Sequence, residues 1–150
     1  MGAPARRIFS LGASEWRRLL RAQWALVAAQ LVVRRRAPGQ LTTRTEPPVD
    51  TTSTSADTGA MHRHAHLLGD AVRRAAKYGV FRPACLVRAI ALRRLLVTDG
   101  IRGAVIRVGV KQSEDGMLAH AWVELDGDVI GDTPEHVGQY APLNELSVVP

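Results

Sequence analysis

Three residues in separate segments are of the types that make a cysteine nucleophile: Cys85, His120 and Asp132. Cys85 is the only cysteine in 150 residues. It lies in the run Phe81–Leu96, whose apolar side chains, read at 3.6 residues per turn, cover nearly the whole circumference. Arg88, Arg93 and Arg94 point in three separate directions. A helix apolar almost all round belongs in the middle of a domain. Pro83 is expected in its first turn and Gly100 just past its end. Cys85 then sits where unpaired N–H groups and the positive end of the helix dipole favour a thiolate. An imidazole to take the thiol proton and a carboxylate to fix the imidazole tautomer would complete the set.

Strand parity sets a condition on that set. His120 and Trp122 share one face of a strand, with Ala119, Ala121, Val123 and Leu125 on the other. A two-residue turn at Asp126-Gly127 would pair residues whose numbers sum to an odd value. His120 and Asp132 would then face opposite sides of the sheet. Bringing them together requires a three-residue turn, a bulge, or a departure from the strand before Asp132. Clean pairing up to Asp132 would remove it from the site. Taken singly, each residue has a plainer use: Cys85 as a small hydrophobe, His120 in a core, Asp132 as a turn former.

The elements that must position these residues follow in order. Ser14 can cap a helix from Glu15 to Arg36, with an apolar stripe of Trp16, Leu19, Leu20, Gln23, Trp24, Val27 and Leu31 expected to pack on its own domain. From Ala37 to Ala60 the chain turns to Pro, Thr, Ser, Asp and Gly, which reads as a linker or insertion. His62, His64 and His66 alternate, but no further cysteine or carboxylate at ligand spacing completes a zinc site. They read as a polar lead-in to a helix from Leu67 to Tyr78. After Gly100 the period changes to 2. Strands are expected at Ala104–Val110, Leu118–Leu125 and Val129–Asp132, with a polar loop at Lys111–Gly116 and Tyr140–Leu143 tucking back on the sheet. Helices first and an antiparallel sheet afterwards make an α+β domain.

Composition narrows the function classes. The formal charge is +6, nearly all from arginine, since Lys77 and Lys111 are the only lysines. No aromatic residues are interleaved with the arginines as a base-stacking surface needs, so nucleic acid is not an expected partner. One cysteine cannot form an internal disulfide, which fits a reducing, cytoplasmic compartment. Arg6-Arg7-Ile8-Phe9 is a poor export signal because Glu15, Arg17, Arg18 and Arg21 follow it. Trp24–Val33 is too short to span a bilayer, and membrane association is not expected.

The run Pro83–Leu92, then Leu95-Leu96, Gly100-Ile101, Ile106–Val110, His120–Glu124 and Val129–Asp132 resembles the lasso peptide leader peptidases, specifically their stand-alone B2 type. The resemblance covers about Leu67 to Leu143. It implies a papain/transglutaminase-like fold: a central helix packed on a small antiparallel sheet, here with an N-terminal helix. The domains would be residues 1–36 (amphipathic helix), 37–60 (linker or insertion) and 61–150 (peptidase). It implies Cys85 as nucleophile, His120 as base and Asp132 as orienting acid, with no cofactor and no metal. The reaction implied is hydrolytic removal of the leader of a lasso precursor peptide. The partners implied are that precursor, a separate leader-recognition protein of the B1 type, and the ATP-dependent lasso cyclase. The alternative is a non-catalytic peptide- or partner-binding module of the same fold with an inert cysteine.

Overall fold

The computed structural model describes residues 12–35, 55–79, 81–114 and 116–146. Its centre is helix α3, Cys85–Thr98, in which seven of fourteen residues are buried, as an all-round apolar helix requires. The N-cap is Ala84, in extended conformation. Pro83 therefore precedes the helix instead of occupying its first turn as expected. The far end closes with Gly100 in the left-handed region, its N–H donating to Val97 O and that of Ile101 to Leu96 O. These two bonds satisfy carbonyls that the helix end leaves open.

Two long helices pack on α3 and on each other. Helix α1, Ala13–Arg35, matches the expected range closely, but the face it buries does not match. Ala22, Ala25, Leu26 and Ala29 turn inward against α3 and against helix α2, Ser55–Tyr78. The stripe read from the sequence holds Trp16, Leu20, Trp24 and Leu31, which are exposed. Alanines allow the helix axes to approach where two indoles would hold them apart. The start of α2 is a second correction: Ser55–Ala60, assigned to the linker, are helical, while residues 36–54 lie outside the described residues. Ala65 and Leu68 are buried in the core. The three histidines thus lie within the helix, and their rings reach carboxylates: His62 meets Asp126 and Asp128, His66 meets Asp128, and His64 meets Asp99. Asp99 also pairs with Arg21, so one carboxylate at the end of α3 joins all three helices.

The sheet packs on α3 through β2 and β1, and β3 also meets α2. Strands β1 (Val105–Ser113), β2 (Gly116–Leu125), β3 (Asp128–Ile130) and β4 (Ala141–Leu146) are all antiparallel in the order β3-β2-β1-β4. The polar loop expected at Lys111–Gly116 is instead a continuation of the hairpin, paired as far as Ser113 and Gly116. Ile106, Ala121, Val123, Leu125 and Ile130 join the helices in one core. His120 and Trp122 are also buried, but by parity they lie on the other face of β2. That face is closed by helix α4, Pro134–Val137, which the sequence reading did not include, and by Tyr140 just beyond it. Among the described residues no helix is long and apolar enough to cross a membrane.

Candidate active site

The β2–β3 connection decides where Asp132 goes. Leu125 pairs with Asp128, Glu124 with Val129 and Val123 with Ile130, each summing to an odd number. The turn is the two-residue Asp126-Gly127, both residues at positive φ, as the twist of a tight hairpin favours. Strand pairing ends at Ile130, and Gly131 adopts φ +78°. Of the three escapes from parity, the chain uses departure from the strand. The left-handed step redirects the backbone, and Asp132 swings to the face that carries His120.

There His120 donates its Nε2–H to Asp132 Oδ2 at 2.7 Å. Asp132 Oδ1 accepts from His136 Nδ1 at 2.9 Å and from the backbone N–H of Thr133 at 2.9 Å. Burial opposes the charge on this carboxyl. Bonds from His136, His120 and Thr133 outweigh it and hold the carboxyl below its ordinary range. An ionised carboxylate only accepts, so the proton of His120 resides on Nε2. Nδ1, which makes no hydrogen bond among the described residues, is the nitrogen left to act as base.

The imidazole is held by rings on several sides. Trp122 stacks on it with centroids 6.1 Å apart and planes 19° apart, and Tyr140 and His136 lie at 5.0 and 4.7 Å. Glu124 fixes Trp122 by accepting from its Nε1 at 2.8 Å, and in turn accepts from Arg107 Nε at 3.0 Å. Gly109 is the register partner of His120; a Cβ there would stand 2.9 Å from Tyr140 Cβ and 3.0 Å from the Trp122 ring. The missing side chain is what allows these two rings to close in.

His136 escaped the sequence reading, which took Thr133-Pro134 only as the end of the sheet. The signal was present: Thr, then Pro and Glu, is a helix start. Thr133 is the N-cap of α4 and its hydroxyl accepts from His136 N at 3.3 Å, which puts His136 one turn above Asp132. His120, Asp132 and His136 also offer donor atoms within 4.8 Å of one another, a spacing that could hold a metal ion. In this structure those atoms are engaged with each other.

Cys85 is the first residue of α3, half-buried against the core, and no side chain caps the N–H groups around it. No hydrogen bond joins its sulfur to His120 among the described residues, so the structure brings together two of the three expected residues by direct bonding. A cleft between α2, α3 and the sheet is lined by Asp132, Trp122, Ala121, Arg88, Ala89 and Leu92, among others. Arg88 and Ala89 stand three and four residues after Cys85, on the same helix stripe. The cleft is therefore lined both by Asp132 and by residues one helical turn along from Cys85.

The profile of the Transglutaminase-like superfamily matches residues 24–145. Searches of curated proteins and of solved structures found no match. The matched range takes in part of α1, all of α2 to α4, and nearly all of the sheet.

Proposed function

The chain belongs to the transglutaminase-like superfamily, and from that premise we propose that it is a cysteine peptidase that removes the leader of a lasso precursor peptide. The observation that carries this reading is the 2.7 Å bond from His120 to Asp132, made across strand parity at the cost of a left-handed Gly131. A carboxylate so placed orients an imidazole and stabilises its protonated form. In the proposed reaction His120 Nδ1 takes the Cys85 proton and the thiolate attacks the last leader carbonyl. The Cys85 N–H, left without a side-chain cap, is a donor for the oxyanion. The protonated His120 then gives its proton to the leaving amine of the core peptide. Water, deprotonated by the same nitrogen, opens the thioester and releases the leader as its acid.

Incubation of the purified protein with a lasso precursor, with and without a B1-type recognition protein, tests this by mass spectrometry. Release of core and leader by the wild type and not by Cys85→Ala is the expected result. Equal cleavage by both proteins would eliminate the assignment. A cytoplasmic setting and handover of the core to the cyclase belong to the same proposal.

The missing bond between Cys85 and His120 favours a second reading, a binding module with an inert thiol. Alkylation by iodoacetamide near neutral pH separates the two. A thiolate reacts fast and is slowed by His120→Ala, whereas an inert thiol is indifferent to that substitution.

A further inference from the structure

Helix α1 is apolar on two opposite faces, and among the described residues only one of them is packed. The inner face of Ala22, Ala25, Leu26 and Ala29 packs on α2 and α3. At 100° per residue Trp16, Leu20, Trp24 and Leu31 cluster within about a quarter of the circumference, diametrically opposite. They are 40%, 55%, 73% and 47% exposed. The stripe is about 22 Å long. The other large exposed apolar side chains of the described residues are scattered over α2, α3, β2 and β4.

The charge beside this stripe has one sign. Glu15 is the only acid in α1, against Arg17, Arg18, Arg21, Arg34 and Arg35. Arg21 is held by Asp99. Arg34 falls in line with Trp16, and Arg17 and Arg35 fall beside Trp24 on the helix wheel, so the stripe is bordered by exposed guanidinium groups. Two indoles with flanking arginines suit the boundary between headgroups and acyl chains, where the rings lie at the interface and the cations meet anionic lipid.

We propose that the outer face of α1 seats the protein on an anionic membrane surface, lying in the interface without spanning it. The length of Trp24–Val33 excludes spanning only, and the Trp16–Leu31 stripe, expected to pack on its own domain, is exposed. The seating leaves the site residues free of the contact surface: α1 packs on α2 and α3, whereas His120 and Asp132 lie on and just beyond the sheet.

Co-sedimentation of the full chain with vesicles of phosphatidylcholine alone, and of phosphatidylcholine mixed with phosphatidylglycerol, tests the proposal. Partition at least about tenfold stronger onto the phosphatidylglycerol vesicles is expected, with a blue shift of tryptophan emission and weakening by salt. Leu20→Glu and Trp24→Ser should each reduce that partition by about tenfold or more without changing the circular dichroism or melting temperature. Leu20 and Trp24 are exposed, so both variants should fold. Three outcomes would overturn the proposal: no partition by a folded protein, partition that both variants retain, or a lipid-independent blue shift that follows a concentration-dependent dimer.

Discussion

His120 and Asp132 are hydrogen-bonded at 2.7 Å although the register of their strands assigns them to opposite faces of the sheet. Gly131 resolves the conflict, and its surroundings leave no slack. It is left-handed, and a Cβ on it would lie 2.9 Å from Leu92 of α3. A Cβ on Gly69 of α2 would stand 2.7 Å from Gly131 N. The corner that aims the carboxylate is thus wedged between two helices.

Substitution at this corner should cost both stability and turnover. For Gly131→Ala the left-handed conformation alone costs about 1–2 kcal/mol, before Leu92 is displaced. Gly69→Ala requires a backbone to shift, because the atom it meets is not part of a flexible side chain. Denaturant melts with measured m-values should show both variants destabilised by at least about 1 kcal/mol. Peptidase turnover should fall as well. A Gly69→Ala variant as stable and active as the parent would mean that this contact does not hold the loop.

Within the site the two partners of His120 should differ in weight. Asp132→Asn keeps the shape but offers the imidazole an amide in place of a charge, and turnover should fall by about 10²–10⁴-fold with the fold intact. His136→Ala removes one of three bonds to the carboxylate and leaves the His120 bond in place. Its loss should be smaller, about tenfold, and should appear in kcat more than in KM. His136→Gln, whose amide can donate to the same oxygen, should recover part of it. Kinetics on a single precursor peptide would rank the three.

Stability should depend on acid in a specific direction. Bonds from Asp132's partners hold that carboxyl below its ordinary range, bonds from Arg21 and His64 do so for Asp99, and bonds from His66 and His62 for Asp128. A carboxyl depressed in the folded state contributes stability above its unfolded value of about 4, and that stability is lost as pH falls through the folded value. At low pH the unfolded chain takes up these protons first. Urea midpoints measured between pH 6 and 2 (roughly the range in which carboxylates titrate) should therefore fall on the acid side. Asp99→Asn, which removes the pair joining all three long helices, should lower the neutral-pH midpoint and flatten that fall.

Much of this arrangement was legible before folding. The all-round apolar helix, the switch from period 3.6 to period 2, and the parity conflict between positions 120 and 132 followed from side-chain spacing. The third escape from parity, a break at Gly131, was one of the alternatives the spacing left open. What was hidden has physical causes. On α1, Trp16, Leu20 and Trp24 outweigh alanines in any tally of hydrophobicity, but helix packing selected the slim face of Ala22, Ala25 and Ala29. The start of α2 was missed because its first turns carry Ser, Asp and Thr, and the helix meets the core only from Met61 and Ala65 onward. His136 belongs to a four-residue helix too short to show a period.

The bare start of α3 sets durability against catalysis. Ala84 is a poor N-cap, and Ser or Asp in its place would be expected to strengthen the helix by about 1 kcal/mol. The new side-chain oxygen would do so by occupying the N–H of Leu86 or Val87, which weakens the positive helix end that favours a thiolate at Cys85. An engineer seeking a hardier protein would choose this position early, and on the proposed mechanism would obtain one that melts later and works more slowly.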